Sequence, residues 1–374
     1  MKRVVKSIYA PTRYVFVADR FSNFISVTDI VSGEHVETLD FSMRPHVMEL
    51  ARDDAMLAVG SPEVSAIEFM NLRTRERRRV ELPSPVFQLF FVPQTNLVAV
   101  GLRDQVGMIS YKDFSVRIFP RRFDSDQRQT LINTYYSLLF SSFSQSFWVL
   151  DEDRPFIYHR YGGAEPLDAP WKTIDLSRHI GSGSGLGIGV ASPEDDLLAM
   201  TTDDGSEGLV YFPAQDKVLS TGPMRTVGST NEPMIMPYID AYSKHVIFAD
   251  MEGNVALFDL VNGNGKPERF TVKFSPRFIR TGWLESTWIL AGDKGIMFQS
   301  FKDPSDRKVV RFVPEVMNMW VTGDSKTALY TLDEGAPTIY RFDIRTREPL
   351  PPIRVRGVTM ASMLRMGSNN SICY

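Results

Sequence analysis

Eight short apolar runs decide the fold: Tyr14-Val-Phe-Val-Ala-Asp19, Met56-Leu-Ala-Val-Gly-Ser61, Leu97-Val-Ala-Val-Gly-Leu102, Phe147-Trp-Val-Leu-Asp-Glu152, Leu197-Leu-Ala-Met-Thr-Thr202, Val246-Ile-Phe-Ala-Asp-Met251, Trp288-Ile-Leu-Ala-Gly-Asp293 and Leu329-Tyr-Thr-Leu-Asp-Glu334. Their starts lie roughly 41 to 50 residues apart, the period of a four-stranded propeller blade. Each run reads as the second strand, b, of a blade. A first strand, a, precedes it across a polar turn, as in His46–Ala51, Val86–Val92, Gly187–Ala191, Met234–Ile239 and Met317–Val321. A third strand, c, follows with alternating polarity, as in Phe24–Ile30, Ala66–Leu72, Asn254–Leu260 and Thr338–Ile344. A more polar strand, d, ends the unit, as in Val36–Leu39, Arg79–Leu82, Val116–Phe119, Phe270–Phe274 and Val309–Phe312.

The pattern predicts an all-β chain, a single β-propeller of four-stranded blades over residues 1–374. Counting b strands gives eight blades, with seven as the alternative if one of the irregular fourth and fifth units is degenerate. Closure requires the chain ends to meet. Val358–Leu364 reads as one more a strand, and Arg3–Ile8 as a second candidate for the latch. Insertions fall at Asp124–Asn133, Tyr161–Pro170 and Gly222–Glu232. Asp124–Tyr135 is the best helix candidate.

Apolar content of 43% and charged content of 23% are those of a soluble globular protein, and the net charge of -3 argues against nucleic acid as a partner. A single cysteine, Cys373, excludes an intrachain disulfide and a cysteine metal site. No apolar run is long enough for a membrane span. The start Met1–Tyr9 is basic but lacks the apolar stretch of a secretory signal. That places the chain in the cytoplasm, or in the periplasm if a leader was removed.

One stretch carries a family likeness: Phe24-Ile-Ser-Val-Thr-Asp-Ile-Val-Ser-Gly33, then Val36–Leu39, then Arg44-Pro45-His46, then Leu57-Ala-Val59. It resembles the YVTN type of propeller repeat, in which a strand ending in Asp and a Gly turn lead to a short strand and a Pro-containing lead-in to the next blade. Asp259-Leu-Val-Asn-Gly263 and Asp343-Ile-Arg-Thr-Arg347 echo it. The resemblance implies a propeller similar in fold to the propeller subunits of quinone-cofactor amine dehydrogenases.

In a propeller the d–a and b–c loops share one face. The b–c loops here are acidic (Asp19, Glu63, Asp151, Asp203, Asp293) and the c–d loops basic (Arg73, Arg75, Arg77–Arg79, Arg307, Arg347). Such fields steer partners, although Asp is also simply favoured in turns. The d–a lead-ins offer Arg44, His46, Glu232, Arg277 and Arg280 as candidate ligand-binding residues of the axial funnel. Gln88, Asn318 and Met360 are further lining positions. An axial Arg could grip a carboxylate or phosphate in bidentate fashion. The five histidines stand apart in sequence and signal no metal site. Gly181–Gly189 lacks the helix and Lys-Ser/Thr of a phosphate loop. The tryptophans, Trp320 among them, read as packing between blades.

With no acid–base, nucleophile, metal or cofactor signature, the sequence points to a non-catalytic binding or scaffold propeller. Its funnel face would be presented to a protein partner or small ligand. The alternatives are a propeller subunit of a quinone-cofactor amine dehydrogenase-like complex and an enzyme with a polar site in the funnel. The fold alone decides none of these.

Overall fold

The computed structural model describes residues 13–366 apart from 52–54, 93–94, 103–104, 120–137, 163–168, 181–183, 194–195, 225–233, 312–314 and 333–334. The chain is all-β, eight four-stranded antiparallel sheets arranged as the blades of a propeller. Blade one holds β1 (Tyr14–Asp19), β2 (Phe24–Asp29) and β3 (His35–Asp40). Blade two is β4 (Val47–Leu50), β5 (Met56–Ser61), β6 (Val64–Asn71) and β7 (Arg77–Glu81). Blade three is β8 (Val86–Phe91), β9 (Leu97–Leu102), β10 (Val106–Ser110) and β11 (Val116–Phe119). Blade four is β12 (Leu138–Ser141), β13 (Ser146–Leu150), β14 (Phe156–Tyr161) and β15 (Lys172–Asp175). Blade five is β16 (Leu186–Ala191), β17 (Leu198–Thr202), β18 (Glu207–Phe212) and β19 (Lys217–Pro223). Blade six is β20 (Tyr238–Ile239), β21 (His245–Ala249), β22 (Asn254–Asp259) and β23 (Glu268–Thr271). Blade seven is β24 (Ser275–Gly282), β25 (Thr287–Asp293), β26 (Gly295–Ser300) and β27 (Arg307–Arg311). Blade eight is β28 (Val316–Val321), β29 (Thr327–Leu332), β30 (Thr338–Asp343) and β31 (Pro349–Arg354). The last strand, β32 (Ala361–Met366), returns to blade one and pairs with β1. The latch is therefore the C-terminal candidate. Arg3–Ile8 lies outside the described residues, as do Asp124–Tyr135 and Cys373.

The runs that announced the repeat are buried on both faces, which is why they read as continuous apolar segments rather than alternating ones. Successive side chains of a strand point to opposite faces. On β1, Phe16 joins the cluster holding Met48 and Leu57 of blade two, while Val15 and Val17 join the cluster holding Leu329 and Ile339 of blade eight. The outermost strand β7 is largely exposed and β3 mostly half-buried, and both carry charge. The innermost strands β8, β16 and β28 repeat one buried residue followed by two half-buried ones.

The Asp that closes many c strands acts as a turn cap. Asp29, Asp259 and Asp343 each accept backbone N–H groups two to three residues on, and Asn71 does the same. One strand departs from expectation. The segment Met234–Ile239 pairs only at Tyr238 and Ile239, plus an isolated bridge from Met234 to Asp250. Pro237 has no N–H to give the ladder.

The chain forms two compact units. One comprises Met1–Val100, Ile109–Ser115 and Arg280–Cys373; the other comprises Gly101–Met108 and Val116–Ile279. In the second, Trp148 and Leu150 pack against Leu186 and Met200, and Ala199 and Val210 against Val246 and Phe248.

Candidate functional site

The axis-directed candidates resolve into separate groups. Arg44 forms an ion pair with Glu63, so a d–a lead-in and a b–c loop do meet on one face of blade two. His46 stands beside them, exposed, its backbone amide donating to the Gly60 carbonyl at 3.0 Å. Partial desolvation and the Arg44 charge hold the imidazole below its ordinary pKa, against the pull of Glu63. Arg277 and Arg280 both lie on β24, half-buried. Glu232 lies outside the described residues. Met360 is in a closing contact, accepting from Arg20 at 3.6 Å through its sulfur. Asn318 donates to the Ser362 carbonyl at 2.7 Å, joining β28 to β32.

Arg280 sits in a charged cluster built by innermost strands of the first unit. The other members are Trp320 of β28, Arg365 of β32 and Glu49 of β4. Each follows a buried apolar residue of its strand (Ile279, Met319, Leu364, Met48), so each points to the opposite side of the sheet from that core residue. The Arg365 Nε donates to Glu49 Oε1 at 2.9 Å, and its Nη1 donates to the Leu364 carbonyl at 2.9 Å. The side chains of this pair are only 21% and 23% exposed. The Arg365 guanidinium lies 4.6 Å from the centroid of the Trp320 ring, and the Arg280 guanidinium lies 5.4 Å from the same centroid. Desolvation raises the Glu49 carboxyl above its ordinary pKa, and Arg365 and Arg280 only partly offset this.

Chemically the arrangement is two guanidiniums, one carboxylate and one aromatic face. The ring holds both cations by its quadrupole. Glu49 pairs with Arg365, and both side chains sit in a partly desolvated place, where charge interactions are stronger than in bulk water. Sequence reasoning found Arg280 and missed the other three. Glu49 lay inside a recognised strand whose neighbours are apolar, and a charge inside an inner strand is the signal that marks it. Arg365 falls one residue past the recognised Val358–Leu364 segment. Trp320 was assigned to packing.

The loop charges are largely consumed within the fold. Asp19, Asp151 and Asp250 are buried and take hydrogen bonds from their own loops or neighbouring segments. On the rim, Arg75 pairs with Glu37, Arg77 with Asp40 at 2.8 Å, and Arg347 with Asp306 at 2.5 Å. These side chains tie adjacent outer strands together, so turn chemistry and rim bridges account for them more directly than steering does. Among the described residues no group of three or more His, Cys, Asp or Glu comes together as a metal site. Among the same residues no helix is long and apolar enough to cross a membrane.

No protein-family model matches the sequence, and no curated protein matches it. Solved structures do. The chain is similar to the dihydro-heme d1 dehydrogenase NirN in complex with DHE, with a TM-score of 0.70 at 14% identity, covering 92% of this chain and 74% of that one. It is also similar to apo AztD from Citrobacter koseri, with a TM-score of 0.59 at 9% identity over 96% of this chain and 98% of that one. The computationally designed Ika8 protein matches with a TM-score of 0.59 at 13% identity over 86% of this chain and 90% of that one. At these identities the likeness is one of fold.

Proposed function

We propose that this chain is a non-catalytic binding propeller of the YVTN repeat type, whose inner-strand cluster takes a small molecule bearing a carboxylate or phosphate. The observation that carries this reading is that Arg280 and Arg365 both lie against the Trp320 ring, with Glu49 bonded to Arg365. A planar guanidinium held on an aromatic face loses little further freedom when it meets an oxyanion, and its fork fits carboxylate and phosphate alike. A protein partner would reach the same place through an acidic side chain.

The reading is tested by purifying the full chain from its own cells, releasing bound small molecules by denaturation and identifying them by mass spectrometry. The expected result is a carboxylate or phosphate compound retained by the wild type and lost from Arg280→Gln and from Arg365→Gln. The reading is overturned if the wild type retains no such compound and citrate, succinate and inorganic phosphate, each at about 10 mM, leave its thermal midpoint unchanged.

The site also carries a pH signature. Glu49 has a raised pKa. Lowering the pH through that value removes the negative charge beside Arg365 and frees its guanidinium. Anion binding should therefore tighten as the pH is lowered, and Glu49→Gln should bind at least as tightly and lose that dependence. Equal pH profiles for wild type and Glu49→Gln would remove Glu49 from the site.

A further inference from the structure

Four c–d turns share one form. Asp29 N–H donates to the Glu34 carbonyl at 2.9 Å, Asn71 to Glu76 at 2.9 Å, Ser110 to Ser115 at 3.0 Å and Asp343 to Glu348 at 3.0 Å. The residue before each acceptor is left-handed: Gly33 (φ 74°), Arg75 (φ 66°), Phe114 (φ 60°) and Arg347 (φ 60°). That position faces the preceding blade. Arg75 reaches back to Glu37, and Arg347 to Asp306, so at two junctions an arginine bridges the outer strands. Between blades two and three the bridge is replaced by a ring. Phe114 lies 5.8 Å from Phe69 of β6, and the Arg78 guanidinium lies 5.9 Å from its centroid.

A cleft of about 650 Å³ opens there, wholly within the first unit. Phe69, Tyr111 and Phe114 give it an aromatic floor, and Arg78, Arg79 and Lys112 a basic rim. Tyr111 is anchored by its hydroxyl to the Thr95 carbonyl at 2.8 Å and by an edge contact to Phe91 at 5.4 Å. Of the two carboxylates that also line the cleft, Glu76 is engaged with Arg78 at 2.9 Å, and Asp113 takes the Ser115 hydroxyl at 2.8 Å. Arg79 is held by Glu81 at 2.6 Å. Lys112 makes no ion pair among the described residues.

We propose that this cleft is a second binding site, distinct from the inner-strand cluster, and that it takes a small aromatic anion. The ring lies against Phe114 and Tyr111, and the anionic group meets Lys112 and Arg79. The volume lies in the range of small-ligand sites, and an aromatic floor with a few charged groups at the rim is how such sites fix orientation. The strained left-handed Phe114 holds its ring at the cleft, where glycine would relax the backbone.

The test is titration of the full chain with 1-naphthyl phosphate, followed by calorimetry and by chemical-shift changes. Inorganic phosphate and 1-naphthol serve as half-ligand controls. Saturable binding with a Kd of about 0.1–1 mM is expected, with both half-ligands at least about tenfold weaker. Phe114→Gly, which suits the turn as Gly33 does, should weaken binding at least about fivefold without lowering the thermal midpoint. Lys112→Gln should weaken it to a similar degree, and Arg280→Gln should leave it unchanged. The proposal is overturned by no saturable binding up to about 5 mM, by inorganic phosphate binding as tightly as the naphthyl ester, or by unaltered binding in both Phe114→Gly and Lys112→Gln.

Discussion

At the residue scale, His159 shows what the fold does with an ionisable group that has no role in either site. It is 8% exposed, tilted against Trp148 with ring centroids 3.9 Å apart and met edge-on by Tyr161 at 4.6 Å. Its Nε2 is buried and accepts or donates no hydrogen bond among the described residues. Burial, and then the nearby Lys172, push its pKa down from 6.5 to about 4. The folded imidazole is thus neutral where the unfolded one begins to protonate. Its stabilisation is fully present above about pH 6.5 and is lost as pH falls from there toward 4, by up to about 3 kcal/mol. Urea unfolding of wild type and His159→Phe at several pH values between 7 and 4 measures this. The variant keeps a ring against Trp148 and should lose less stability across that window. Parallel curves would show that His159 titrates normally.

At the scale of elements, the strands of neighbouring blades approach closely enough that one hydrogen atom matters. Gly208 of β18 lies under the Phe248 ring of β21, and a Cβ there would overlap the ring. Its N–H meanwhile donates to Thr221 Oγ1 at 2.8 Å, which fixes it in place. Gly208→Ala should destabilise the second unit by about 1–3 kcal/mol, as overpacking does. Adding Phe248→Leu should recover part of that loss in a double-mutant cycle, and additive losses would mean that the two residues do not meet. The same packing explains what was legible in the sequence. A b strand is buried on both faces, so its composition repeats and can be counted, and the polar d strands and the Asp-capped turns are local patterns. The cluster of Glu49, Arg280, Trp320 and Arg365 is different in kind. Its members lie on β4, β24, β28 and β32, far apart in sequence, and no spacing rule brings them to one place. Likewise nothing in Asp113-Phe114-Ser115 shows that the ring stands where two other junctions carry an arginine. That follows only when the turns are superposed by their hydrogen bonds.

At the scale of the molecule, the decisive contact is the one that joins its ends. β32 adds to β1 in register from Val15 opposite Met366 to Ala18 opposite Met363, and the pairing is interrupted by a bulge before Asp19 meets Ala361. At the bulge Asp19 collects hydrogen bonds from the Thr359 N–H at 3.0 Å, the Met360 N–H at 3.3 Å, the Phe21 N–H at 3.2 Å and the Ser22 hydroxyl at 2.8 Å. A carboxylate that accepts several donors at once is worth more than a neutral pair, because charge-assisted bonds are stronger and removing it loses all of them together. Burial alone would raise the Asp19 pKa, but these donors outweigh it and hold it below the ordinary value. Its contribution is therefore present above about pH 4 and disappears as pH falls through the lower folded value. Asp19→Ala should loosen the latch before it unfolds the chain, since β32 is held on one side by β1 and each other blade is a contiguous hairpin series. Hydrogen exchange near neutral pH tests this. The β32 amides should exchange at least about tenfold faster in Asp19→Ala, corresponding to a loss of about 1.4 kcal/mol or more in local opening, while those of β5 stay protected. Equal acceleration in β5 would mean that Asp19 supports the whole fold evenly, and no acceleration in β32 would mean that strand pairing alone closes the first blade.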